Sequence, residues 1–419
     1  MACAGYFDEL GSRIERAFRA IGHDEEGFPD LAHEALERAP AHRSIRPVDL
    51  LHEVAAGGAL PGQLVDRSTF GEPPLTVFAS SRFVIDVYFW FGATTTTHEH
   101  GFCGAFQVLS GSSLHATRRF ACTRRVNSRF LLGDVRTDRC EVLHVGDTRR
   151  ILPGRRFAHA LFHLDSPSTT VVVRTRSNPD ANPQYQYAPP HVAFDPFYRT
   201  RARELQHEAL DALAQVDESS YLSALDAALA DSTLEEAFFL LDAHTARCME
   251  TAGSLEGPEL QGRRAVCESR HGKADVDALL RCVKEACRTR DLMESRKQTR
   301  DADERFVLAA LLNAHDRGQL LEFVRGRYPT ESPADAFMRA FSRMTKPAED
   351  GRDNVLGVEL GDDALTCIRF LLEGVAPADL ARRLLEARAA GKANARHDAA
   401  IERFLGDLLR IPALGVLAV

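Results

Sequence analysis

The residues best equipped for chemistry are two histidines one residue apart, in Thr94-Thr95-Thr96-Thr97-His98-Glu99-His100-Gly101. Side chains on an extended strand alternate between faces, so His98 and His100 point the same way and Glu99 points the other. Two neutral imidazoles at that spacing fit adjacent corners of one metal ion. A third donor is offered downstream by Leu152-Pro153-Gly154-Arg155-Arg156-Phe157-Ala158-His159, a turn that leads into a strand also carrying His163. These two histidines share strand parity, but four residues separate them by about 13 Å, too far for one ion, so only one serves as ligand. His115 and His144 fall on strand-like runs as well and are read as structural.

Such a site needs stiff strands around it, and the sequence supplies them. Phe83 to Trp90 is aromatic and β-branched, and similar runs follow at Phe106 to Leu109, Ser128 to Leu132, Cys140 to His144 and Thr169 to Thr175. Short strands punctuated by turns predict an antiparallel barrel or sandwich over residues 63–180. Before it, apolar residues such as Ile14, Ala17, Phe18 and Ile21 recur at helical spacing, giving an N-terminal helical segment over 1–62. After it, the Asn178-Pro179 and Pro189-Pro190 region is too rich in turn formers for a sheet interior and predicts a linker over 181–200. From 201 to 419 the pattern is helical, with room for about eight to eleven helices.

Composition narrows the function. With 60 acidic and 52 basic residues the net charge is -8, which argues against a nucleic acid partner. No basic start followed by an apolar run opens the chain, and no apolar stretch is long enough to span a bilayer, so a cytoplasmic protein off the membrane is expected. The nine cysteines include no Cys-x-x-Cys pair, which favours reduced thiols.

The His-x-His, the closing Leu109-Ser110-Gly111 and the Pro153-Gly154 turn before His159 together resemble the two motifs of the cupin superfamily, over about a quarter of the chain. The resemblance implies a β + α multidomain protein: a cupin-type antiparallel β-barrel with N-terminal helices and a large C-terminal all-α domain. It also implies His98, His100 and His159 as metal ligands, with His163 either buried directly behind them or merely structural. Cupins with a carboxylate ligand carry it seven residues before the closing glycine, where this chain has Gly104. The His-x-His-Gly-x-x-Gly pattern without that carboxylate is similar to three-histidine non-haem iron thiol dioxygenases of the cysteine dioxygenase kind. Trp90, eight residues before His98, also matches a tryptophan of that family. Their Ser-x-His-x-Tyr pattern is missing: the corresponding run, Pro167 to Arg174, retains only the hydroxyl of Thr170.

Strand parity places Arg82 and Tyr88 on the face of Trp90, and Arg174 stands near where those dioxygenases have a tyrosine. Arg82, Tyr88, Trp90 and Arg174 are therefore the expected substrate-binding residues, with an arginine pairing a substrate carboxylate. Arg67 is a further arginine candidate. Cys103 is expected to pack and not to ligate. His315-Asp316 raises a metal phosphohydrolase, but no second His or Asp cluster supports one. The expected function is a mononuclear Fe(II) oxygenase acting on a small anionic substrate, a thiol or an amino acid, with O2. Competing expectations are a metal-binding sensor or interaction protein, and a non-redox isomerase or hydrolase using Zn, Ni or Mn. The helical domain is expected to serve a homo-oligomer contact or a protein partner.

Overall fold

The computed structural model describes residues 2–63, 71–92, 95–176, 183–198, 200–252, 258–299, 301–345, 355–356, 360–390, 404–406, 408 and 411–417. Three helices lead in: α1 (Ala2–Ala20), α2 (Phe28–Arg38) and α3 (Pro47–Ala55). Ten strands follow: β1 (Pro74–Ala79), β2 (Phe83–Trp90), β3 (Gly104–Ser110), β4 (Ser113–Arg125), β5 (Phe130–Leu143), β6 (Thr148–Ile151), β7 (Ala158–His163), β8 (Ser168–Thr175), β9 (Gln186–Ala188) and β10 (Val192–Phe194). They form two five-stranded sheets, ordered β1-β2-β8-β3-β6 and β7-β4-β5-β10-β9, and every strand pair is antiparallel. The fold class expected from the sequence, curled antiparallel β-sheets with N-terminal helices and a large helical C-terminal region, is the one observed.

The sheets face each other across a filled interior. Phe106, Val108, Ile151 and Val172 from the first sheet pack with Leu143 and Leu161 from the second. On β2 the alternate residues Phe83, Ile85, Val87 and Phe89 turn outward, onto Phe7, Leu10, Ile14 and Phe18 of α1 and Phe28 of α2. Because both faces of this strand are covered, it reads as a nearly continuous apolar run.

The C-terminal region comprises α4 (Arg201–Val216), α5 (Glu218–Asp231), α6 (Leu234–Ala252), α7 (Pro258–His271), α8 (Lys273–Gln298), α9 (Ala302–Asn313), α10 (Arg317–Arg327), α11 (Pro333–Met344), α12 (Asp362–Glu373) and α13 (Leu380–Ala390). It shares its core with the barrel. Leu114 of β4 and Phe162 of β7 join Phe306, Leu308 and Leu311 of α9, while Phe130, Leu132 and Val192 join residues of α4 to α8. Asp316 accepts from the Gln319 amide at the N-terminus of α10, and His315 bonds Thr137 at 2.7 Å. That pair is thus used in capping and in docking the helices on β5. No helix among the described residues is long and apolar enough to cross a membrane.

Two expectations need correction. The predicted linker over 181–200 contains β9 and β10, which extend the second sheet beside β5, with Val192 opposite Leu132 and Phe194 opposite Phe130. Its prolines flank these three-residue strands, so the ladder is kept. The separate runs at 128–132 and 140–144 prove to be the two ends of one strand, β5, whose middle, from Asp134 to Arg139, is largely polar, with Val135 buried and Thr137 docked on His315. His144 lies just past β5, exposed in a turn.

A shared core makes the two parts unfold together. Phe162→Ala removes a buried phenyl and is expected to destabilise by about 3 to 5 kcal/mol. Urea denaturation followed by the single tryptophan, Trp90 inside the barrel, and by helical circular dichroism should shift in one coincident transition. Separate transitions, with only one signal affected, would show independent units.

Candidate metal centre

His98, His100 and His159 come together: one ring nitrogen from each lies within 4.8 Å of the others. His159 sits on β7. The other two lie in an irregular segment between β2 and β3 instead of a strand, but His98 forms isolated bridges with His159 on one side and Gln186 on the other. His98 and His159 exchange both backbone hydrogen bonds, each 2.9 Å. Thr95 and Leu161 are joined by backbone and hydroxyl bonds, the Leu161 amide reaching the Thr95 hydroxyl at 2.7 Å. The metal segment therefore bridges the two edge strands of the second sheet, β7 and β9.

Alternation holds locally, and Glu99 does turn away from its neighbours. Its carboxylate accepts from the Tyr187 hydroxyl at 2.5 Å and the Tyr185 amide at 3.2 Å, while its own amide donates to the Tyr185 carbonyl. The Gly101 amide donates to the Gln184 side chain at 2.9 Å, and the Tyr187 amide to the Thr97 carbonyl. Residues 184–187 thus strap the ligand segment down. None of them was among the sequence candidates, because the region was taken for a linker.

The donor set suits one ion. His98 places Nδ1 2.8 Å from the Thr96 carbonyl, so this nitrogen carries the proton and Nε2 is left as donor. Nε2 of His100 and Nε2 of His159 are 2.9 Å apart. Two nitrogens held at about 2.1 Å from one ion and at a right angle to each other are separated by about 3 Å. Burial pushes all three imidazoles below the ordinary value, and mutual charge and Arg174 press His100 further down. They are therefore neutral, the form that binds metal. His98 and His159 are buried, whereas His100 is partly open and marks the accessible side.

The vacancy in the carboxylate pattern has a steric reason. A Cβ on Gly104 would stand 1.9 Å from the Val173 carbonyl oxygen and 2.9 Å from the Arg174 Cα, where β3 and β8 pair closely. No ligand-bearing side chain fits there without parting the strands. Gly104→Glu is accordingly expected to lower the melting temperature, by at least about 1 to 3 kcal/mol of stability, and to gain no metal affinity. A variant that melts like the parent and binds metal more tightly would reverse this account.

The expected substrate residues are placed differently. Arg174 is buried, its Nε donating to Asp86 Oδ2 at 2.7 Å, and its guanidinium lies 4.9 Å over the Phe102 ring, whose centroid is 4.5 Å from that of His100 at a tilt of 34°. Tyr88 bonds the same Asp86 oxygen at 3.2 Å, and Thr76 bonds the other at 2.8 Å. Trp90 donates from Nε1 to Thr170 at 3.1 Å and stacks on His163 at 4.6 Å, making no ring contact with the three ligands among the described residues. Arg82 is corrected: it precedes β2 in an exposed turn, where strand parity does not govern it. Arg67 and Thr94 lie outside the described residues. Cys103 is buried, its thiol donating to the Glu25 carbonyl at 3.3 Å and pushed up to about 11 by burial.

Nδ1 of His163 is hydrogen-bonded to the Ser113 and Ser168 hydroxyls, at 2.9 and 2.7 Å, and the ring stands apart from the ligand cluster. His115, read as structural, instead touches a ligand: its Nε2 is 3.1 Å from Nδ1 of His159. Glu141 lies beyond it, Oε1 3.6 Å from His115 Nδ1, too long for a hydrogen bond. Both residues depend on the register of β4 against β7 and β5, which no local pattern reveals.

No protein-family model and no curated protein sequence matches the chain. Among solved structures it is similar to a cupin-2 domain containing protein from Shewanella frigidimarina, at 14% identity and a TM-score of 0.18, over 26% of this chain and 85% of that one. It is also similar to a chain from the crystal structures of DMSP lyases RdDddP and RnDddQII, at 19% identity and a TM-score of 0.25, over 43% of this chain and 95% of the other.

Buried neutral histidines make stability depend on pH. Burial and the charge of Arg296 push His163 down to about 3, and burial and Arg263 push His244 down to about 4. In the unfolded chain both titrate near 6.5. The unfolded state therefore binds more protons in between, so this stability is complete above about pH 6.5 and is lost as pH falls toward 4 and then 3. The urea midpoint should be level near neutrality and decline below pH 6, with His163→Phe, which keeps the stack on Trp90, flattening the decline. Parallel profiles for the two proteins would exclude His163 as a contributor.

Proposed function

We propose that the protein is a mononuclear non-haem Fe(II) oxygenase of the cupin type that acts on a small anionic substrate, a thiol or an amino acid, with O2. The supporting observation is the cluster of three neutral imidazoles with no carboxylate among the donors. Three neutral donors leave the charge of a divalent ion uncompensated, which favours an anionic substrate at the remaining positions. Iron bound there would supply the oxygen chemistry.

The chain's own residues have distinct tasks in this reading. Arg174 receives the substrate's carboxylate from behind Phe102. Its bond to Asp86 uses Nε–H, and a guanidinium has four other N–H groups. Asp86, fixed by Thr76 and Tyr88, keeps the guanidinium from swinging away. The 184–187 strap and the bridge to β7 hold the ligand segment rigid, and the aromatic wall of Phe102, Phe106 and Phe157 restricts water around the site.

The test is metal content after anaerobic purification, paired with O2 uptake on a panel of small thiols and amino acids. Wild type should carry near-stoichiometric iron and consume O2 with a panel member, and His98→Ala should do neither. The double variant Asp86→Asn/Arg174→Gln, which removes both charges of the buried pair together, should raise KM for the carboxylate substrate by about tenfold or more and leave iron in place. Zn, Ni or Mn with no uptake would replace the oxygenase by a non-redox metalloenzyme. Absence of any metal would leave a binding or sensing module.

A further inference from the structure

A ring nitrogen that holds a metal ion carries no proton, and a neutral imidazole carries one in total. If Nε2 of His159 faces the ion beside Nε2 of His100, the proton of His159 resides on Nδ1 and is donated to Nε2 of His115, 3.1 Å away. His115 then holds its own proton on Nδ1, directed at the Glu141 carboxylate 3.6 Å away, and this nitrogen has no hydrogen-bond partner among the described residues. Glu141 cannot turn off: Arg149 grips it with two bonds of 2.9 and 2.8 Å, and Arg139 adds a third contact at 2.8 Å. Although burial acts to raise it, the bonds of Arg149 and the charges of Arg149 and Arg139 hold this carboxyl far below the usual range, so it is an anion. The reverse orientation would put the His159 proton on the nitrogen that faces His100.

We propose that His115 and Glu141 form a positioning relay that fixes His159 in the Nδ1–H tautomer and strengthens Nε2 as a metal donor. His115 is not itself a ligand, since its Nε2 lies on the side of His159 away from the cluster. It acts through His159 as an acceptor whose own proton is drawn toward a fixed anion, so electron density on His159 is raised at the nitrogen that binds the ion. Partners of this kind typically change metal affinity by about 10- to 100-fold. The relay gives one of three otherwise similar imidazoles a stronger donor character than His98, whose Nδ1 rests on a neutral backbone carbonyl. The inference deepens the metal-centre reading and rests on it.

The experiment pairs two readouts on the full chain. First, long-range proton–nitrogen correlation spectra of the metal-free protein report the tautomer of each ring. Wild type should show His159 and His115 both as Nδ1–H. His115→Phe, which keeps the shape and removes the acceptor, should lose the fixed Nδ1–H form of His159, and His115→Gln, whose side-chain oxygen can accept, should restore it. Second, Co(II) binding is measured by chelator competition and by its visible spectrum. His115→Phe should weaken binding by about 10- to 100-fold and shift the bands, and His115→Gln should recover only part of the loss, because it has no link to Glu141. Glu141→Gln should weaken binding in the same direction with the fold intact, which keeps the test usable if His115→Phe fails to fold. A wild-type His159 protonated on Nε2, or Co(II) affinity and spectrum unchanged in His115→Phe and Glu141→Gln, would overturn the relay. If wild type binds no Co(II), the metal reading itself fails, while the tautomer spectra still decide whether the relay exists.

Discussion

The architecture depends on one pair of backbone hydrogen bonds. His98 and His159 are far apart in sequence, yet each donates its amide to the other's carbonyl at 2.9 Å. A side-chain metal site requires its donors to be placed within a fraction of an ångström, and side-chain packing alone does so less well than a direct backbone link. Here the link is built between two ligands. The same segment pairs with Gln186 on its other edge, so it occupies the gap between β7 and β9 and removes two exposed sheet edges that would otherwise invite foreign strands. Barrel closure and ligand placement are thus one event.

That constraint explains the polarity pattern around the site. Glu99, between two ligands, is forced to the opposite face, where an unpaired buried carboxylate would be costly. It is satisfied by Tyr185 and Tyr187, so β9 is needed to pay for the charge that alternation places there. Close pairing of β3 with β8 leaves no room at Gly104 for a fourth side chain. The donor set stays neutral as a consequence, and the buried Arg174 and Asp86 behind Phe102 neutralise each other. Net positive charge at the centre would come from the ion.

Local patterns were legible in the sequence and register was not. The alternation of His98, Glu99 and His100, the turn before His159 and the apolar run of β2 involve residues near one another along the chain, so spacing alone reads them. The role of His115 comes from the pairing of β4 with β7, a contact between residues 44 apart, and nothing around His115 distinguishes it from a packed histidine. Arg82 failed for the converse reason: parity was extended one residue past the start of β2. The prolines near β9 and β10 were taken to exclude strands, but three-residue strands need only a few amides and leave the prolines outside the ladder. The middle of β5 was missed because Val135 is the one apolar residue from Asp134 to Arg139, so hydrophobicity shows no period of two there.

The helical region bears on the site more directly than its lack of motifs suggests. A barrel with apolar residues on its outer faces is not stable in water until those faces are covered, and Leu114, Phe162, Phe130 and Val192 pack into clusters built largely from helices of this region. Polar anchors then select where the cover sits. Arg296 of α8 is buried and donates to the His163 carbonyl through two nitrogens, at 3.1 and 2.8 Å, and to the Gly92 carbonyl at 3.0 Å. Arg305 of α9 donates to the Leu164 carbonyl at 3.0 Å. A buried guanidinium is tolerated only where its N–H groups are matched, and burial already lowers Arg296 to about 10. These carbonyls belong to the end of β7, the strand of His159, and to the chain leaving β2 toward His98. One arginine from the helices therefore joins the two polypeptide segments that carry the ligands, from outside the barrel. The helical cover is thus anchored at Gly92 and His163, on the stretches of backbone that lead to and from the centre.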